Sequence, residues 1–222
     1  MQFFTDTNIP IAYTVIHDKW HENAIKFFKK HEKDNIFWSN LVKKEYDEKL
    51  GDIIDEVTNF LETSEDLLNI NNKDFINYYD FEKYLLKRTG ECNLDRTKKQ
   101  KILEHFWEKY GFSEGISGII SSKFSVFINY FELIYYTRES RLENILILHD
   151  CGLNNYLKYL DYAKKLYKWG VHKPDCKIVI DAHDCGKNHD DLIFISADKK
   201  MIEKILNHNT NFLSITEFRS CN

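Results

Sequence analysis

At each end of this chain a short apolar run stops on an acid and is followed by a segment with helical spacing. Gln2-Phe-Phe-Thr leads to Asp6, and Leu192-Ile-Phe-Ile-Ser196 leads to Asp198. Runs of this length bounded by polar residues read as buried strands, and their alternation with helices predicts a parallel sheet covered by helices. A second strand is expected at Asn35–Trp38 and a last one at Asn211–Thr216. The fold class expected is therefore α/β.

Between these ends the chain reads as helical. Pro (2) and Gly (8) are scarce in 222 residues, which leaves few breakers. Apolar spacing predicts helices from Asn8, over His21–Lys30 and over Asn40–Leu50. Further helices are expected at Ile53–Leu68, Phe75–Lys87, Thr97–Tyr110, Ser117–Tyr136 and Leu142–His149. Asn155–Trp169 reads as one helix stopped by Gly170, Pro174–Cys185 as another and Lys199–Leu206 as a short one. No apolar run approaches the ~18 residues a membrane span needs. Nothing at the N-terminus has the pattern of a signal peptide, so a cytoplasmic protein is expected. Five cysteines form no Cys-x-x-Cys pair, which argues against a disulfide framework or a structural zinc site.

The chemistry is carried by acids. Asp6 and Asp198 stand just past strand ends, where ligands bind in open α/β sheets. Glu45 shares a helical face with Leu41 and Val42, and Asp175 lies within about 60° of Ile178, Val179 and Ala182 on its helix. Carboxylates that converge without a paired cation repel one another, and a divalent metal relieves that repulsion. Each acid also has an ordinary reading: a helix cap for Asp6 and Asp198, an edge residue for Glu45, a first-turn acid for Asp175. Glu48 is a second candidate on the Glu45 helix, while Asp181 and Asp184 are expected to face away, toward solvent or a loop.

In order along the chain, Phe4-Thr-Asp6-Thr-Asn8, Ser39 with Glu45, Pro174-Asp175-x-x-Ile178-x-x-x-Ala182-x-x-x-Gly186, and Ile195-Ser196-x-Asp198 resemble the motifs of PIN domain nucleases. The likeness covers residues 1–50 and 165–222. Residues 51–164 form a helical insertion longer than compact members carry, expected to pack on the same domain. The resemblance implies a three-layer α/β/α sandwich and a metal-dependent nuclease acting on RNA, with single-stranded DNA as the other candidate. It implies Mg²⁺ or Mn²⁺ held by Asp6, Glu45, Asp175 and Asp198, with Asn8 and Ser196 in support. A homo-oligomer and an inhibitory protein partner are both compatible with it; a membrane partner is not expected.

Two other readings stand beside it. His183-Asp184-Cys-Gly, partly repeated as His149-Asp150-Cys-Gly, resembles the metal-binding pair of HD-type phosphohydrolases, which would require an all-helical fold. A catalytically inactive PIN-like binding or scaffold module is the third. Lys158, Lys164, Lys165 and Lys168, interleaved with Tyr159, Tyr162, Tyr167 and Trp169, could contact a nucleic-acid backbone or form a solvated face. The basic run Arg96–Lys101 has the same two readings.

Overall fold

A computed structural model describes residues 1–71, 75–110, 117–152 and 155–221. The chain divides into two compact units, residues 1–49 with 138–222, and residues 50–137. The first unit holds a five-stranded sheet in which every pairing is parallel. Its strands are β1 (Gln2–Thr5), β2 (Asn35–Ser39), β3 (Leu146–His149), β4 (Leu192–Ser196) and β5 (Glu217–Ser220), in spatial order β3-β2-β1-β4-β5. Phe3 and Phe4 are both fully buried although they point to opposite faces, and β4 is buried along its whole length. A parallel strand covered on both faces is apolar at most positions, with Thr5 and Ser196 the buried polar residues at the ends of β1 and β4, which is why these runs do not alternate.

The helices of this unit are α1 (Asn8–Thr14), α2 (His21–Lys30), α7 (Asn155–Lys158), α8 (Leu160–Lys168), α9 (Lys173–Gly186) and α10 (Lys199–Leu206). The long helices α3 (Asn40–Asn71) and α6 (Ser117–Ile145) contain the boundaries between the units. Ser39 starts α3 as expected, its hydroxyl accepting from the Val42 N–H at 3.2 Å. Pro174 sits in the first turn of α9, where its missing N–H costs nothing. Gly170 ends α8 with a positive φ of 83°, and the Val171 N–H returns to the Leu166 carbonyl.

The second unit is helical. Besides its parts of α3 and α6 it holds α4 (Tyr78–Arg88) and α5 (Arg96–Tyr110) around a core of phenylalanines, with Phe106 and Phe124 ring centroids 4.1 Å apart. In the basic run, Lys99 is buried and donates to the Thr89 and Cys92 carbonyls, closing the end of α4. Lys98 pairs with Asp95.

The elements differ from expectation at five places, one of them α6, which runs unbroken from Ser117 to Ile145 where two helices are expected. No break occurs at Gly51, and α3 runs through it; an internal glycine costs a helix only about 1 kcal/mol. Leu146–His149 is β3 rather than the end of a helix, because a short apolar run carries no period that separates the two. The expected helix Asn155–Trp169 is interrupted at Tyr159, whose hydroxyl reaches Asp184. The last strand begins at Glu217. Leu213 and Ile215 are buried from a loop that gives the Thr216 N–H to the Leu192 carbonyl. Among the described residues, no helix is long and apolar enough to cross a membrane.

Candidate active site

The strand order runs outward from β1 through β2 to β3, then returns to the other side of β1 for β4 and β5. The reversal falls between β1 and β4, and the crevice beyond the carboxyl ends of the strands at such a point is the usual ligand position in open α/β sheets. Asp6 follows β1 there, and Ser196 to Asp198 follow β4. The Asp6 N–H completes the ladder to the Ile195 carbonyl at 2.9 Å.

Asp6 does not cap α1 with its side chain. Its Oδ1 accepts from the Thr7 N–H at 2.7 Å, and its Oδ2 accepts from Asn8 Nδ2 and from Ser196 Oγ, each at 2.7 Å. Asn8 also accepts the Ala197 N–H at 2.8 Å, and Ser196 Oγ accepts the Asp198 N–H at 2.9 Å. Asn8 and Ser196 therefore tie the end of β1 to the end of β4 and fix the orientation of the Asp6 carboxylate.

The other acids arrive on helices. Glu45, one turn into α3, accepts from Thr7 Oγ1 at 2.8 Å and from Lys49 Nζ at 2.5 Å. Asp175, in the first turn of α9, is half-buried while Ile178, Val179 and Ala182 on its side of the helix are buried. Asp198 caps α10, its Oδ1 accepting from the Met201 N–H at 2.9 Å, so the ordinary reading of this residue is realised. Glu48 stays outside, exposed and paired with Lys44.

Electrostatics links Asp6, Glu45, Asp175 and Asp198. Burial pushes the Asp6 carboxyl up to about 6; hydrogen bonds from Ser196 and Thr7 pull it down, and the charges of Asp175 and Glu45 raise it further. Burial also raises Asp175, helped by Asp198 and Glu45 and opposed by His172 and Lys49. Among the described residues, Asp6, Asp175 and Asp198 join no ion pair, whereas Glu45 has Lys49. The donor set is all carboxylate oxygen, which suits a hard divalent cation, and a cation would relieve the strain held by Asp6 and Asp175. As placed, no three His, Cys, Asp or Glu side chains among the described residues lie close enough together to hold a metal ion.

Beside the acids opens a cleft of about 620 Å³ whose lining includes Asn8, Trp20 and Asp198. Four lysines also line it: Lys19, Lys49, Lys199 and Lys200. Sequence reasoning did not single out these cations or Thr7. Lys49 was legible as the residue four past Glu45, and Thr7 as the centre of the Asp-Thr-Asn triplet; Lys19 and Trp20 carried no local signal.

The His-Asp motifs build something else. His149 Nε2 meets Asp184 Oδ2 at 3.4 Å, Tyr159 donates to Asp184 Oδ1 at 2.8 Å, and Lys158 lies 3.7 Å away. Asp150 accepts from Asn40 instead. His183 is buried between Tyr159 and Tyr162, and its Nδ1 accepts the Ser214 N–H at 2.8 Å. Burial holds this imidazole down near 4, hence neutral. Asp181 and Asp184 do not face solvent as expected. Asp181 is buried, with Tyr156 donating to it at 3.4 Å, and Asp184 is largely covered, because α9 packs on α7 and α8. The five-stranded sheet is also not the all-helical fold an HD-type enzyme requires.

The lysines of α7 and α8 do not share one surface. Lys158 is turned to Asp184, and Lys165 lies over the Phe212 ring. Lys164 and Lys168 line a groove between α8 and α9. No protein-family model, curated protein or solved structure matches this chain.

Proposed function

We propose that this chain is a PIN-like, metal-dependent nuclease that cleaves RNA, and that the helices of its first unit flank the sheet as a three-layer α/β/α sandwich. One observation carries the reading: at the point where the strand order reverses, the Asp6 carboxylate is buried and clamped by Asn8 and Ser196 with no ion pair among the described residues, and the acids Glu45, Asp175 and Asp198 come from the elements around it. Asp6, the most buried of them, is raised to about 6. A stable fold keeps such an arrangement at a cost, and the cost has a purpose if a cation binds there.

Asp6, Glu45, Asp175 and Asp198 would have to draw together to hold Mg²⁺ or Mn²⁺, since as placed no three of them are close enough to share it. When bound, such a cation neutralises charge on the scissile phosphate and acidifies a ligated water. The chain's own residues do the rest. Asn8 and Ser196 hold Asp6 Oδ2 in one orientation, and Thr7 does the same for Glu45 Oε2. Lys19, Lys49, Lys199 and Lys200 outnumber Asp18 and Asp198 in the lining of the neighbouring cleft, and although Lys49 and Lys199 pair with Glu45 and Glu203, Lys19 and Lys200 would attract a phosphodiester backbone and steer it to the acids. The Trp20 ring, with Lys19 Nζ 5.0 Å from its centroid, lines the same cleft and sets an aromatic surface beside a cation, a pairing that suits a base and its phosphate.

The test is degradation of labelled RNA and single-stranded DNA by the purified chain with Mn²⁺, with and without chelator. RNA is cleaved, chelator stops it, and Asp6→Asn slows it by at least about 100-fold while RNA binding persists. Cleavage of DNA alone would move the substrate assignment. Binding of RNA without cleavage under any divalent cation would favour the inactive scaffold, and the Glu45–Lys49 ion pair would then be read as purely structural.

A further inference from the structure

A second surface of the first unit has a different character. Between α8 and α9 lies a groove of about 370 Å³, within the size range of small recognition sites. Its floor is Tyr156, Leu160, Ala163, Tyr167 and Cys176. Leu160 is 45% and Tyr167 58% exposed, so two large apolar side chains stand in solvent along one stripe of α8. Exposed apolar surface rimmed by charge marks an interaction site. The rim here is of one sign: Lys164 and Lys168 from α8, Lys173 and Lys177 from α9. Lys164 is paired with Asp161 at 3.5 Å. Among the described residues, Lys168, Lys173 and Lys177 have no ion pair.

We propose that the α8–α9 groove is a docking site for an acidic amphipathic helix of a partner protein. A groove between two helices takes the apolar stripe of a third, and its flanking acids meet the lysines on both walls. The charge pattern selects this occupant over a basic or neutral segment, and over a second copy of this groove, which would set lysines against lysines. The aliphatic part of the floor favours it over a nucleic acid. Leu160, Ala163 and Cys176 neither stack a base nor read its edge, the Tyr156 hydroxyl is committed to Asp181, and among the described residues Tyr167 is left as the one exposed stacking face in the groove. A phosphate backbone would satisfy the rim and leave Leu160 in water. The groove shares α9 with Asp175, but its lining includes none of the four acids of the proposed nuclease centre, and the proposal does not rest on that assignment.

Binding of a labelled synthetic peptide to the full chain tests it. The peptide carries Leu at positions i, i+3, i+4 and i+7 and Glu elsewhere; a scrambled peptide of the same composition has no stripe. The ordered peptide saturates the chain, the scrambled one binds at least about tenfold more weakly, and Tyr167→Glu and Lys168→Glu each weaken the ordered peptide by about tenfold or more. Lys168 is exposed, so its variant keeps the test open if Tyr167→Glu fails to fold. Asp6→Asn leaves binding unchanged. Equal binding of the two peptides, no saturation, insensitivity to both variants, or displacement by single-stranded RNA more readily than by unlabelled peptide would each overturn the proposal.

Discussion

Asp6 and Asp184 are both largely removed from solvent, both follow motifs that suggest metal chemistry, and they are held in opposite electrostatic states. Around Asp184, burial would raise the carboxyl, but Tyr159, His149 and Lys158 outweigh it and hold it below the usual carboxylate range. Around Asp6, the hydrogen bonds from Ser196, Thr7 and Asn8 do not outweigh burial, and the neighbouring charges of Asp175 and Glu45 are negative. One acid has its charge answered by the fold; the other does not, and under the proposed function a cation would answer it. Proximity of His and Asp in sequence therefore says less about function than whether the folded surroundings compensate the charge.

The sharpest break between the two comes from neutralising each in turn. Asp184→Asn leaves RNA cleavage within about threefold of wild type, against the loss of about 100-fold or more for Asp6→Asn. It instead costs about 1.5–3 kcal/mol of stability at pH 7, read by denaturant unfolding. Because the folded value of Asp184 is lowered, its contribution is present above the unfolded value of 3.8 and lost as pH falls through the folded one. The two chains should thus converge in stability in acid. A strong cleavage defect in Asp184→Asn would erase the distinction.

The compensated side is also tightly packed at the end of α9. A Cβ on Gly186 would lie 1.7 Å from the Ser214 carbonyl oxygen, and the Ser214 N–H is the partner of His183. Gly186→Ala should cost about 1–3 kcal/mol, a fall in melting temperature of roughly 2–12 °C. An unchanged melting temperature would mean that this loop yields and that the packing at the end of α9 is softer than described.

The uncompensated side should respond to cations in a pH-dependent way. With its folded value raised to about 6, Asp6 contributes stability that is fully present below 3.8 and is lost as pH rises through about 6. Mn²⁺ should restore it only where the carboxylate is ionised. The thermal shift produced by Mn²⁺ is expected to be several degrees larger at pH 8 than at pH 5. Equal shifts at both values would place the cation elsewhere. The smallest effect concerns Lys49, the cation paired with Glu45. Lys49→Met should change stability by less than about 1 kcal/mol, since its ion pair is exposed, and should tighten Mn²⁺ binding in the absence of RNA. Weaker Mn²⁺ binding would assign Glu45 to a structural ion pair instead.

Much of the frame was legible before any coordinates. The apolar runs of β1, β2 and β4 need no alternation to be recognised, because a strand covered on both faces is apolar at most positions. Asp6 and Asp198 were legible as strand-end acids for the same reason. β3 was not: Leu146–His149 follows a long helix without a breaker, and only pairing with β2 decides that it is extended. The break at Tyr159 and the late start of β5 were hidden likewise, since each is set by a partner distant in sequence: Asp184 for the first, Leu192 and Ile193 for the second.

The sequence by itself determined the strands β1 and β4 and the helices that follow them, the identity of the acids and their order. The tertiary structure decided which charges meet. It brought Thr7 and Lys49 to Glu45, tied Asn8 and Ser196 to Asp6, and gave Asp184 a tyrosine and a histidine. The reason is that propensity and hydrophobic period act over a few residues. The energy of a buried charge depends on every group within several ångströms, and those groups come from all along the chain.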